Sequence, residues 1–264
     1  MFKKIVITLI TIFGFSSTTN AQLDLAHEVG VIFGPVTLQS DFGERHDFDT
    51  NIGNTGFGIG IVHFINFSSN SSRNTYFAEH FKVRSELSFN KANLEHFGQW
   101  VNRNSNSAGV AKLKAMTGSS TLVNIGSQLE YSPFVEIKNY ERLNGRFSPY
   151  VSLGFLATLY KSKLTSSLGP LGTPETTPGK YLVPSDGHAY GFSSERGFAV
   201  SAVGGLGVHY KLDEMNDILF ETRFQVFSSD WIDGLNPNKD IYTENKANDW
   251  QVWFNVGYVY YLEY

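Results

Sequence analysis

The 264 residues contain no cysteine, which excludes disulfides, thiolate metal sites and the cysteine-linked lipid of bacterial lipoproteins. Prolines number only eight, and neither sign of charge dominates. With 25 acidic and 21 basic residues the net charge is −4, too balanced to imply a nucleic-acid partner. Motifs that carry chemistry are missing as well. Gly56, Gly58 and Gly60 fail as a dinucleotide fingerprint because Ile61 stands where the third glycine belongs and the strand pattern runs on. There is no P-loop, GxSxG or HExxH. These gaps predict a protein that is not an enzyme and has no cofactor. The apolar run Ile5 to Phe15 is eleven residues long, against the roughly 20 that a spanning helix needs.

That run follows Lys3 and Lys4 and leads through polar residues to Thr19-Asn20-Ala21, the layout of a secretory signal peptide cut after Ala21. Residues 1–21 are therefore expected to be removed, leaving residues 22–264 as a single domain. Aromatics at 15% and 25 glycines favour strands with tight inner packing.

The last fourteen residues alternate strictly. Val252, Phe254, Val256, Tyr258, Tyr260, Leu262 and Tyr264 share an apolar face, opposite Gln251, Trp253, Asn255, Gly257, Val259, Tyr261 and Glu263. Seven further segments repeat this pattern, near residues 24–34, 56–67, 79–91, 119–132, 147–161, 197–211 and 217–228. Backbone groups in lipid must all be paired, so a spanning sheet has to close on itself. The fold expected is all-β: an eight-stranded antiparallel transmembrane up-and-down β-barrel with long extracellular loops and short periplasmic turns, in the outer membrane of a Gram-negative bacterium. Tyr258, Tyr260, Leu262 and Tyr264 would form the C-terminal signal read by the barrel-assembly machinery. Long and short connections are expected to alternate throughout, with every proline in a connection or at a strand start. The longest loop, about Lys161 to Glu195, is rich in Gly, Pro, Ser and Thr and is expected to be mobile unless a partner orders it.

Seven charged residues fall on the inward faces: Glu28, Lys82, Arg84, Glu86, Glu130, Glu221 and Arg223. They could line a proton or ion path or form a salt-bridged plug. An eight-stranded barrel is filled by side chains, and four acids against three bases allow near-neutral pairing, so the plug is the reading adopted. His63 would face lipid near the periplasmic end and His209 would face inward. Both suit interfacial or hydrogen-bonded structural roles better than catalysis. Asp41, Glu44, His46, Asp47 and Asp49 lack the spacing of a calcium loop and read as a solvated acidic segment, with no metal expected.

The stretch HEVGVIFGPVTLQSDFGERHDFDTNIGNTGFGIGIVHFINF, followed by HFKVRSELSFNKANLEHFG, resembles small barrel proteins of Bacteroidota, especially the PorG-like family associated with type IX secretion. The shared features are an opening strand ending in glycine, a glycine-rich second strand and a basic third strand. Ser40-Asp41-Phe42-Gly43 stands where that family usually has a Gly-Asp pair. The resemblance implies docking of a periplasmic secretion or motility assembly to the outer membrane, with no catalytic residues to carry over. The expected partners are outer-membrane lipid and periplasmic secretion or motility proteins, through turns such as Lys211 to Asp217. A narrow channel or uptake accessory is the alternative, and a lipid-modifying enzyme a more distant one.

Overall fold

The computed structural model describes residues 25–43, 48–67, 75–102, 107–142, 144–243, 245 and 247–262. Residues 1–21, expected to form a signal peptide, and Glu44, His46, Asp47 and Tyr264 lie outside the described residues. Eight antiparallel strands close into one barrel: β1 (Ala26–Gln39), β2 (Thr55–Asn66), β3 (Phe81–Glu95), β4 (Met116–Tyr131), β5 (Phe147–Ser166), β6 (Arg196–Lys211), β7 (Asn216–Phe227) and β8 (Trp250–Tyr261). Each strand pairs with its neighbours in sequence, and β8 returns to β1 through Val31–Tyr258 and Phe33–Val256, so no edge is left open.

Over most of their length the strands are apolar outside and polar inside. Phe33, Ile61, Leu87, Ile125, Phe155, Leu206, Phe220 and Tyr258 stand exposed on the outer wall, while Glu28, Arg84, Glu130, Ser152, Glu221 and Asn255 are buried within. Val252 keeps the outward phase but not the exposure. It lies between register partners Thr37 and Phe224 and is 3% exposed.

Several strands run further toward the loop end than expected, and there the pattern inverts. On β5 the outward residues become Lys161, Lys163 and Thr165, while Tyr160 and Leu164 turn inward. On β3 the outward residues are Lys91, Asn93 and Glu95, with Ala92 and Leu94 inward. A strand leaving an apolar solvent for water must exchange its two faces, so the inversion marks the edge of the apolar belt. The longer strands shorten the loops. The connection 40–54 is then about as long as the turn 67–80, so the expected contrast fails for that pair, while 167–195 and 228–249 remain far longer than 212–215.

Pro35 also corrects the expectation. It lies inside β1, where the ladder to β8 skips the Gly34 and Pro35 positions. The missing proline N–H costs nothing there, and Gly34 is required because a Cβ would sit 1.9 Å from the Phe254 carbonyl oxygen.

Candidate functional site

The barrel interior is built in three layers. Nearest the end where residues 25 and 262 lie is a network of charges. Arg84 Nη1 donates to Glu130 Oε1 at 2.8 Å and to Glu221 Oε2 at 2.7 Å, and its Nη2 reaches Glu221 Oε1 at 3.1 Å. Arg223 joins Glu86 and Glu221 through bonds of 2.7 and 2.8 Å. Lys82 donates to Glu28 Oε1 at 2.6 Å. The seven inward charges named from the sequence thus lie in one buried stack. They fall there because each occupies the inward phase of its strand at the same end of the barrel.

Three further residues join the stack, two of them missed from the sequence. Lys211 and Asp217 are register partners at the ends of β6 and β7, with Lys211 Nζ 3.3 Å from Asp217 Oδ1 and both side chains fully buried. They looked like turn residues because they bracket the tight connection 212–215, so the docking surface expected over Lys211 to Asp217 shrinks to its exposed middle. His209 takes the inward, hydrogen-bonded position expected of it. It stands between Glu130 Oε2 at 3.4 Å and Asp217 Oδ2 at 3.6 Å. Counting period-two positions to the last paired residue would have placed Lys211 and Asp217 inside as well.

The short helix Ile137–Glu141 stops this end. Ile137 and Tyr140 are buried, and the Tyr140 hydroxyl donates to Asp217 at 3.0 Å. Burial, together with the Asp217 carboxylate, pushes the Tyr140 hydroxyl well above its ordinary range, so it stays a donor. Above the charges lies an amide and hydroxyl layer: Asn124 Nδ2 donates to Asn90 Oδ1 at 2.8 Å, Thr158 to Asn124 at 2.7 Å, Gln225 to Ser201 at 2.8 Å, and Gln251 to Gln225 at 2.7 Å. A cavity of about 10 Å³ above it, lined by Leu38, Asn90, Ser120, Leu122 and Gln251 among others, has room for one water at most.

The third layer is apolar and comes from the loops. Trp231, Ile232 and Leu235 enter the mouth and pack with Leu38, Phe42, Leu94, Met116, Leu122, Leu164 and Tyr181. Residues 230–237 are all buried, although they form no regular element. Their backbone is held by side chains, as it must be away from water: Ser120 Oγ donates to the Ile232 carbonyl at 2.6 Å, and the Asp233 N–H donates to Asp249 Oδ2 at 3.2 Å. The long loop expected to be mobile supplies Tyr181, Leu171 and Phe192 to this cluster and bonds to the other loop through Gly191 and Asn236. Its small polar residues hid three anchors that only the folded partner loop makes apolar.

His96 lies in this cap, stacked on Phe42 at 4.5 Å, and burial pushes its pKa down to about 3. A histidine with a depressed folded value stabilises the cap fully above its unfolded value near 6.5. The contribution is lost progressively as pH falls from there toward about 3. Loop proteolysis is therefore expected to rise between about pH 6.5 and 4 in the wild type, and His96→Phe should flatten that profile. An unchanged slope in the variant would refute the assignment.

Among the described residues, the histidines on the outer wall and at the rim pair with one another or with a carboxylate. His27 Nδ1 and His63 Nε2 lie 3.1 Å apart with stacked rings on the outer face. At the loop end His188 meets Glu195 at 3.0 Å, and Ser193 donates to the same Glu195 oxygen at 2.8 Å. The other His188 nitrogen faces the Asp186 carbonyl at 3.2 Å, and the Ser193 hydroxyl is spent on Glu195, not on the ring. Among the described residues no group of three or more metal-ligating side chains converges. Asp41 and Asp49 are the parts of the acidic loop that are described.

No protein-family model and no curated protein sequence matches this chain. Solved structures do, at low identity. Ail, the attachment invasion locus protein of Yersinia pestis, is 12% identical with a TM-score of 0.44, over 90% of this chain and 99% of its own. Neisserial surface protein A is 10% identical with a TM-score of 0.44, over 89% and 96%. A major outer membrane protein from Thermus thermophilus is 10% identical with a TM-score of 0.47, over 90% and 100%. The closed antiparallel barrel of this chain stands on its own strand pairing, β1 through β8 and back to β1.

Proposed function

We propose that this chain is a non-enzymatic protein of a Gram-negative outer membrane that anchors or scaffolds a cell-envelope complex, of the type IX secretion or motility kind. One observation carries the reading: the outer wall is apolar, while the lumen is filled from the helix Ile137–Glu141 through the charge and amide layers to the loop cap. A barrel closed at both ends offers lipid contact outside and docking at its rims, with no path for a solute between them. The loop end then faces the outside of the cell and the turns face the periplasm. On this reading residues 1–21 direct export, residues 22–264 form the mature barrel, and Tyr258, Tyr260, Leu262 and Tyr264 are read during insertion. Glu28, Lys82, Arg84, Glu86, Glu130, Glu221 and Arg223 serve as a structural plug.

The experiment is purification of the tagged protein from detergent-solubilised outer membranes, with mass spectrometry of co-purified proteins and planar-bilayer recordings of the same sample. Stoichiometric envelope partners without conductance are expected. Steady conductance from the wild type would overturn the filled-lumen reading, and recovery of the barrel alone would overturn the stable scaffold.

A further inference from the structure

The edge of the apolar belt is not alike around the barrel. On four consecutive strands the residues Lys91, Thr121, Lys161 and Arg196 are joined by register: Lys91 pairs with Thr121, Thr121 with Lys161, and Lys161 with Arg196. Each stands one outward position beyond an apolar residue of its own strand, namely Phe89, Val123, Leu159 and Phe198. Lys163 follows Lys161 on the same face. Lys91, Lys161, Lys163 and Arg196 are exposed and, among the described residues, have no ion-pair partner. In this region β1, β2 and β8 place Thr37, Thr55 and Trp250, and Ser228 follows the end of β7, none of them charged.

Unpaired cations held in a row at the rim of a lipid-facing wall favour an anion that is itself anchored in the lipid. Neighbouring strands lie about 4.8 Å apart, so the row spans about 15 Å, the scale of a headgroup carrying more than one phosphate. The guanidinium fork of Arg196 can engage two phosphate oxygens at once, and the lysines supply point charges beside it. The apolar side chains directly below would lie along acyl chains of the same molecule. We infer that this row binds the headgroup of a phosphorylated glycolipid of the outer leaflet, the class to which lipid A belongs. The inference rests on the outer-membrane reading above.

The test uses the full mature barrel in phosphatidylcholine vesicles doped with bisphosphorylated lipid A or with its dephosphorylated form. Lipid retained by the protein is counted by native mass spectrometry. The wild type is expected to retain bisphosphorylated lipid A, and the triple variant Lys91→Gln/Lys161→Gln/Arg196→Gln to bind it on the order of 100-fold more weakly. Lys138→Gln/Arg142→Gln, at the opposite end, should behave as wild type. Equal retention by the triple variant, or of dephosphorylated lipid A by the wild type, would overturn the inference while leaving the membrane reading standing. A wild type that fails to enter vesicles at all would overturn both.

Discussion

Arg84→Ala will destabilise the barrel by about 3–5 kcal/mol, because it leaves charges buried without their partner. Arg84 is fully buried and contacts Glu130, Glu221 and Glu86. Truncation therefore removes one cation from among three carboxylates that water does not reach. An exposed lysine such as Lys138, changed to alanine, should stay within about 0.5 kcal/mol. Denaturant unfolding in micelles, followed by the gel shift between folded and unfolded barrel, measures both. The combined variant Arg84→Met/Glu130→Gln/Glu221→Gln should recover most of the loss, since replacing a buried ion cluster by neutral groups of similar volume is often near neutral. A loss below about 1 kcal/mol for Arg84→Ala would mean that the lumen is wetter than its packing shows.

The second large effect concerns the cap. Ile232→Asp places a carboxylate in the apolar cluster formed by Trp231, Leu235, Leu38, Phe42 and Tyr181, at a position with no exposure. Lost apolar contact and an unpaired charge together cost about 3 kcal/mol or more. The loops can answer by leaving the mouth, so the cost appears as local opening and not as loss of the barrel. Cleavage within 167–195 and 228–249 by a protease added to vesicles should rise by about 100-fold, with the folded gel mobility retained. Unchanged cleavage would mean that the loops are held by contacts outside the cluster.

How much of this was legible follows from where each signal is written. Strand count, closure and inward phase are properties of single strands, and alternation such as that of Phe254 to Leu262 records them directly. The charge stack was readable for the same reason, up to the point where Lys211 and Asp217 blended into a turn. The cap was not readable. Its contacts join Phe42, Met116, Tyr181 and Ile232, which come from four different loop-end regions, and no periodicity links them. The inversion on β3 and β5 hid the true strand ends, because a search for apolar-outward residues stops at Lys91 and Lys161 while the ladder continues to Glu95 and Ser166. Pro35 was misplaced because a proline is admitted in a strand wherever the facing strand asks for no hydrogen bond, and that depends on β8.

The exchange of faces along β3 and β5 also fixes how deep the molecule sits. Sliding the barrel inward by two residues, about 5 Å for a tilted strand, would drag Lys161 and Arg196 into hydrocarbon, and sliding it outward would bare Leu159 and Phe198 to water. The half of the circumference bearing Thr37, Thr55, Ser228 and Trp250 would bare Phe57 and Val226 if it slid outward, but has no charge at this height to oppose sliding inward. In a bilayer of the wrong thickness the barrel would therefore pivot, holding its height on the basic side and letting the uncharged side sink. Its lean would report the thickness of the membrane around it.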